Sequence, residues 1–151
     1  MFITPHTSAA IWVSTKVSDP FLAFIFSLLS HFILDMVPHG DDNLAEDKKG
    51  KEKFLYLLNV ASIDMVVSCA LVYFYVISHQ GINHWVLFWA VFGAWLPDLA
   101  WIVIESFRLT SLYWYIVYHA KLHNIFSWQY SIVYGVPFQI LVTLTLVKIS
   151  F

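Results

Sequence analysis

The sequence has little charge and almost no cysteine. Only 12% of its 151 residues are charged, whereas a soluble domain usually carries about 25%. The single cysteine, Cys69, excludes an internal disulfide and any zinc site built from several cysteines. The formal net charge of -2 provides no positive field that would attract nucleic acid, so we expect no nucleic-acid partner.

The fraction of apolar residues is high instead. The chain is 60% hydrophobic and 19% aromatic, which is more than the core of one domain of this size can hide, so lipid must be part of its solvent. The N-terminal stretch MFITPHTSAAIWVSTK has no basic region before its apolar part, unlike a cleavable signal, and we expect the mature protein to keep it. We interpret residues 1–151 as a single integral membrane domain.

Long apolar runs predict the membrane-crossing segments, since a helix needs about 20 residues to span the hydrocarbon core. A weaker helix, Thr7–Val17, would cross only if it is tilted or if the bilayer thins. The segment Thr110–Asn124 is aromatic and polar by turns, which favours an interfacial helix. The fold class is therefore an all-α polytopic membrane helix bundle with four to five transmembrane helices plus one interfacial helix. The four long runs are Pro20–Val37, Phe54–Ser78, Asn83–Phe107 and Trp128–Ile149.

Basic residues predict the orientation, because cytoplasmic loops carry an excess of lysine and arginine. Two basic residues, Lys16 and Lys148, fall on one side of the predicted bundle. Six fall on the other side, which we therefore expect to face the cytoplasm. These six are Lys48, Lys49, Lys51, Lys53, Arg108 and Lys121.

On this topology, acids and histidines from separate segments collect near the cytoplasmic face. Ionisable groups at membrane depth are costly and indicate a functional site by default. Asp64 lies deeper along its helix, where a polar contact between helices explains it equally well. The candidates at the face are His6, His31, Asp35, His39, Asp98, His119 and His123.

The spacing within HFILDMVPHGDD favours metal binding. His31 and Asp35 are four residues apart and share one helical face, with side chains about 5–6 Å apart. Pro38 disfavours helix at Val37 and is expected to end the helix there. His39 is then expected just beyond the end of the helix. If the helix continued straight, His39 would lie about 12 Å from His31, which is too far for one ion to bind both residues. Either Asp35 bridges two ions, or His39 belongs to a second one.

A second pair, His119 and His123, repeats this spacing. Mixed imidazole and carboxylate donors suit zinc, with manganese or iron as alternatives, better than calcium or magnesium. We expect one to three divalent ions, and an open coordination position would hold a water with its pKa lowered toward ~7. His39 and Asp42 are the candidate catalytic residues. Either could act as a general base, as a hydrogen-bond partner of a metal ligand or as a further ligand. Asp42 is equally well explained as a solvated loop residue. The predicted metal ligands are His6, His31, Asp35, Asp98, His119 and His123.

The segments TPH, SHFILDMVPHGD, GAWLPD and HAKLHN, taken in order from His6 to His123, resemble the YdjM-like predicted membrane-bound metal-dependent hydrolases of bacteria. That family is grouped remotely with zinc-dependent phospholipases C and single-strand nucleases, which are soluble all-helical enzymes. The resemblance implies a hydrolase in a bacterial inner membrane. It also implies that His31 and Asp35 match the histidine–aspartate helix pair of those enzymes.

Two features of this sequence depart from the soluble enzymes. Those enzymes often have an acidic residue at the position of His123, which leaves the number of ions open. They also use a free terminal amine as a ligand, and no processing that would expose one is visible in this sequence.

Three functional hypotheses follow from these residues. The first is a membrane-embedded metal-dependent hydrolase that acts on a phosphoester of a lipid or a lipid-linked substrate through a metal-activated water. The second is a non-catalytic metal- or proton-binding protein, such as a small transporter or an accessory subunit. The third is a di-iron oxidase, which usually needs around eight clustered histidines, whereas five remain here once His79 and His84 are discounted.

Overall fold

The structure is a computed structural model that describes residues 1–40, 44–45, 47–126 and 131–151. Within these ranges the regular elements are helices alone, which confirms the all-α prediction. A short 3-10 turn, Thr110–Leu112, precedes the fifth helix. The α-helices are α1 Ile3–Lys16, α2 Pro20–Met36, α3 Gly50–Ser78, α4 His84–Ser106, α5 Tyr113–His123 and α6 Ile132–Ser150.

Three helices, α3, α4 and α6, are long and apolar enough to cross a membrane. Helix α2 is equally apolar in character but has 17 residues. Large apolar side chains on the outer faces of these helices are exposed, among them Val66, Phe88 and Leu141. This pattern indicates a membrane protein, because lipid is the solvent that tolerates such a surface. The number of four to five crossings stays a prediction.

Helix α1 lies at the centre of the bundle and packs against α2, α3, α4 and α6. It begins at Ile3 rather than at the predicted Thr7. Nine of its 14 residues are buried, and Ala9 and Ala10 allow close approach of the neighbouring helices. The segment that had the weakest apolar signal is therefore the most enclosed helix, since its small and polar side chains face protein rather than lipid.

The helix ends follow local signals. Asp19 accepts a hydrogen bond from the Leu22 amide and Pro20 is the first residue of α2, a favourable start for a helix. Helix α2 ends at Met36, with Val37 extended before Pro38, as predicted. The third helix begins at Gly50, one turn before the predicted Phe54. The predicted sixth helix began at Trp128; residues 127–130 lie outside the described residues, and α6 begins at Ile132.

Five helices bring one of their ends to the same side of the bundle. Helices α1, α3 and α6 begin there, whereas α2 and α4 end there, and α5 packs against both α2 and α4. We call this side the site end. Lys49, Lys51 and Lys53 lie at the site end of α3, whereas Lys16 and Lys148 lie at the opposite ends of α1 and α6. The basic residues are therefore distributed about the bundle as the topology predicted.

Candidate metal centre

Asp35 lies at the centre of the site end and is 2% exposed. Its Oδ1 atom lies 3.1 Å from Nε2 of His6 and 4.0 Å from Nε2 of His123. Its Oδ2 atom lies 3.0 Å from Nε2 of His31 and 3.6 Å from Nε2 of His119. The two carboxylate oxygens therefore face two different sets of imidazoles.

Two groups of side chains have the composition and spacing to hold a metal ion, and Asp35 belongs to both. In each group the candidate ligand atoms lie within 4.8 Å of one another. We call them the first and second donor groups. The first consists of His31, Asp35, Asp98 and His119, and the second consists of Asp35, His39 and His123.

A backbone carbonyl orients one histidine in each donor group. Nδ1 of His31 lies 2.7 Å from the carbonyl oxygen of Ala94, in the turn of α4 that precedes Pro97. Nδ1 of His39 lies 2.6 Å from the carbonyl oxygen of Val37. A carbonyl can only accept, so each Nδ1 carries the hydrogen and donates it. Each Nε2 is then left with a lone pair, which is the arrangement that metal-binding histidines use.

Several polar atoms at the centre have no hydrogen bond of acceptable geometry among the described residues. These atoms are buried and close together. A buried polar atom without a partner costs free energy. A bound cation would satisfy those of His31, Asp35 and His119, which belong to the first donor group, whereas, within the described part of the chain, His6 belongs to neither group and both of its ring nitrogens lack a hydrogen bond of acceptable geometry. The atoms are Nε2 of His6, His31 and His119 and Oδ2 of Asp35.

The separations between donors in the first group suit a small ion. Nε2 of His31 and Nε2 of His119 lie 3.8 and 3.9 Å from Oδ1 of Asp98, and the contacts to Asp35 are 3.0 and 3.6 Å. Ligands at ~2.0–2.1 Å from a tetrahedral zinc ion lie about 3.3 Å from one another. The donor atoms therefore surround a space that fits such an ion after small movements of the side chains.

His119 is held in the metal-binding form by its surroundings. Burial lowers its pKa to about 4, so the imidazole is neutral at pH 7. The Tyr115 ring stacks on it with centroids 5.8 Å apart. The Tyr115 hydroxyl donates a hydrogen bond of 2.9 Å to the carbonyl oxygen of Pro97 and ties α5 to α4. Burial and the negative charge of Asp98 raise the pKa of Tyr115 to about 12, so the hydroxyl stays protonated.

The variant Tyr115→Phe is expected to bind zinc about tenfold more weakly, at the low end of the 10–100-fold loss that follows removal of a partner of a metal ligand. The ring still packs, but α5 loses its attachment to the Pro97 carbonyl and His119 becomes less well placed. A competition titration with a chromophoric chelator in detergent measures the dissociation constant. Tyr118→Phe is the control, because Tyr118 is exposed on the same helix. Equal affinities in the two variants would contradict the role of Tyr115.

The loop that carries His39 lies against the first turn of α6. Gly40 has a φ of 76°, which turns the chain toward α6. A Cβ atom on Gly135 would overlap the carbonyl oxygen of His39, so only glycine fits there. The side-chain amide of Gln139 donates a hydrogen bond of 2.9 Å to that same carbonyl. Helix α6 thus fixes the position of His39 through one glycine and one glutamine.

The variant Gly135→Ala is expected to displace the His39 loop. Overpacking of this kind costs about 1–3 kcal/mol of unfolding free energy, and it moves His39 away from Asp35 and His123. We expect a lower thermal midpoint in detergent and the loss of metal from the second donor group. Thr145→Ala on the same helix is the control, because the Thr145 hydroxyl bonds only to its own helix. A Gly135→Ala protein with full metal content and an unchanged midpoint would refute this account.

The structure brings all six predicted metal ligands and His39 to one place. His39 lies beyond the end of α2, in a donor group with His123, which supports the interpretation of His39 as a further ligand. Asp42, the other predicted catalytic residue, lies outside the described residues. His79 lies at the opposite end of the bundle, 5.0 Å from the Phe151 ring. The assignment of these residues as ligands stays a prediction.

Two residues at the site were missed by sequence reasoning. The amine of Met1 donates a hydrogen bond of 2.8 Å to Oδ1 of Asp35 and lies 3.3 Å from Nε2 of His123. Gln139, a lone polar residue in an apolar run, joins His39 to the Phe2 amide. A polar side chain within a membrane helix was the available signal for Gln139, and the terminal amine that the soluble enzymes use as a ligand was the available signal for Met1.

Comparison of the chain with protein-family models, with curated proteins and with solved structures finds no match.

Proposed function

We propose that this protein is a membrane-embedded, metal-dependent hydrolase that cleaves a phosphoester of a lipid or a lipid-linked substrate. The observation that carries the proposal is the position of Asp35, whose two oxygens face two donor groups. A carboxylate shared in this way is the arrangement of a two-ion site, which enzymes use to clamp a phosphoryl group. The donor set of imidazoles and carboxylates supports zinc first, with manganese or iron as alternatives.

Two bound ions would lower the pKa of a coordinated water toward ~7 and neutralise charge on the phosphoryl group. His31, Asp98 and His119 would hold one ion, and His39 and His123 the other, with Asp35 shared. Hydrolysis then forms one bond from the water oxygen to phosphorus and breaks one bond from phosphorus to the leaving oxygen, which takes up a proton. The attacking water supplies that proton, because it loses one when its oxygen bonds to phosphorus.

The position of the site end relative to the membrane supports a lipid substrate. Helices α3, α4 and α6 are long and apolar enough to cross a membrane, and a bundle that crosses it would have its site end at the boundary between lipid and water, where the phosphate of a lipid lies. The excess of lysines at the start of α3 supports the cytoplasmic face of the membrane, and the family resemblance supports a bacterial inner membrane.

The test uses the purified full chain in detergent, loaded with zinc or with manganese and then freed of excess metal. Elemental analysis gives the bound metal, and release of diacylglycerol from phosphatidic acid and from phosphatidylglycerol gives the activity. We expect hydrolysis of at least one lipid that is lost in His119→Ala and retained in His84→Ala, whose side chain lies at the other end of α4. A protein that holds metal but hydrolyses neither lipid would favour the alternative of a non-catalytic metal-binding membrane protein.

A further inference from the structure

A groove between α3 and α6 lies beside the donor groups. It has a volume of about 510 Å³, and the first residues of α1 form its floor. Helix α1 packs against both α3 and α6 and holds them apart. The apolar walls of the groove are formed by Val60, Ile63 and Val67 of α3 and by Val136, Ile140 and Leu144 of α6.

The polar side chains of the groove are already engaged by the protein. The Asp64 carboxylate accepts hydrogen bonds from the amides of Ile3 and Thr4 and from the Thr4 hydroxyl. The Gln139 side chain accepts from the Phe2 amide and donates to the His39 carbonyl. The groove therefore offers an apolar surface, which suits a hydrocarbon chain and offers little to a polar ligand.

The groove lies next to the donor groups, with Phe2 and Gln139 between them. Phe2 lines the groove, and the neighbouring Met1 contacts Asp35. Gln139 lines it as well and bonds to the carbonyl of His39, a member of the second donor group. A lipid whose phosphate lies at the donor groups would therefore have its acyl chains close to this groove.

The length of the groove selects the kind of chain. From Val136 to Leu144 it follows α6 for about 12 Å, at ~1.5 Å per residue. This is less than half of the ~30 Å hydrocarbon core, so the groove can receive a large part of one fatty acyl chain but only a small part of a longer polyprenyl chain.

We propose that this groove binds one acyl chain of a glycerophospholipid whose phosphate lies at the donor groups. The inference rests on the proposed function, of which it specifies the substrate class. Lipid tails are as apolar as the groove, so the gain comes from close packing rather than from transfer out of water. The groove therefore positions the lipid and contributes a modest preference for acyl-bearing substrates.

The binding test does not depend on hydrolysis. The metal-loaded full chain in vesicles of phosphatidylethanolamine and phosphatidylglycerol is irradiated with a phosphatidylglycerol that carries a diazirine midway along one acyl chain, and labelled residues are mapped by mass spectrometry. We expect labelling at Val67 and Ile140, which line the groove, several-fold above that at Val66 and Leu141, which are exposed outside it. Ile140→Trp fills the groove and should remove the preference, whereas Leu141→Trp should keep it. Uniform labelling of the lipid-facing surface would overturn the proposal.

An activity test separates this inference from the proposed function. Ile140→Trp is expected to lower kcat/KM for the diacyl lipid about tenfold, equivalent to about 1.4 kcal/mol, and to leave kcat/KM for a water-soluble short-chain phosphoester unchanged. Leu141→Trp should change neither. An equal effect of Ile140→Trp on both substrates, or no effect on either, would overturn the groove. Absence of hydrolysis in every protein would instead refute the proposed function, and the labelling result would still decide whether the groove binds an acyl chain.

Discussion

Replacement of Asp35 by asparagine is expected to abolish metal binding by one donor group and to weaken it in the other. The asparagine amide keeps one oxygen, but an NH2 group that cannot bind a cation takes the place of the other oxygen. The negative charge shared between His31, His119, His6 and His123 is lost as well. The affinity of the remaining ion should fall by more than the 10–100-fold that the loss of an outer partner costs.

Titration of the metal-free protein with zinc in detergent measures both the number of bound ions and their affinities. His84→Ala is the matched control, since it removes an imidazole at the end of α4 that lies away from the donor groups. A thermal scan of the metal-free variants shows whether the bundle itself survives the substitution. If Asp35→Asn binds as many ions as the wild type and with the same affinity, Asp35 is not shared between metal sites.

Removal of the Asp64 carboxylate is expected to give the largest loss of stability. In Asp64→Ala, the amides of Ile3 and Thr4 lose their acceptor at the start of the central helix, whereas the Thr4 hydroxyl keeps the Asp64 carbonyl and the Ser68 hydroxyl as partners. A donor left without a partner costs about 1–3 kcal/mol, and these two amides are partly buried, so we expect about 2–4 kcal/mol in total. The start of α1 also carries His6, so metal affinity should fall with stability.

The thermal midpoint in detergent measures this effect, with Ser62→Ala as the control, because the Ser62 hydroxyl is exposed and bonds only within α3. Asp64→Asn should lie between the two, since its single oxygen can still accept from one donor. A midpoint of Asp64→Ala equal to that of Ser62→Ala would show that Asp64 does not hold the start of α1.

The outer helices could be predicted from sequence because lipid imposes a simple demand, a long apolar run that satisfies its own backbone. The start of α1 could not be predicted. Phe2 provides no side-chain cap there, and the acceptor for the first amides comes from Asp64, 61 residues away from Ile3. A tertiary contact of this kind leaves no local pattern in the sequence. From the sequence alone, a polar contact between helices explained Asp64 as well as a functional role did.

In the candidate site, too, local features could be predicted from the sequence and contacts between helices could not. The spacing of His31 and Asp35 and the stop at Pro38 are local features, and the structure reproduces both the shared helical face and the helix end. The positions of Tyr115 and Gln139 depend on contacts between helices, with the Pro97 carbonyl and with the His39 loop. From the sequence alone, Tyr115 is interpreted as an interfacial aromatic residue and Gln139 as an isolated polar residue.

X-ray absorption spectroscopy of the zinc-loaded full chain tests the central claim most directly. A site built around Asp35 predicts nitrogen and oxygen ligands at ~2.0–2.2 Å and a second zinc ion at ~3.5–4 Å. Failure of the folded protein to retain zinc, or a zinc ion with a sulfur ligand at ~2.3 Å and no neighbouring ion, would contradict it.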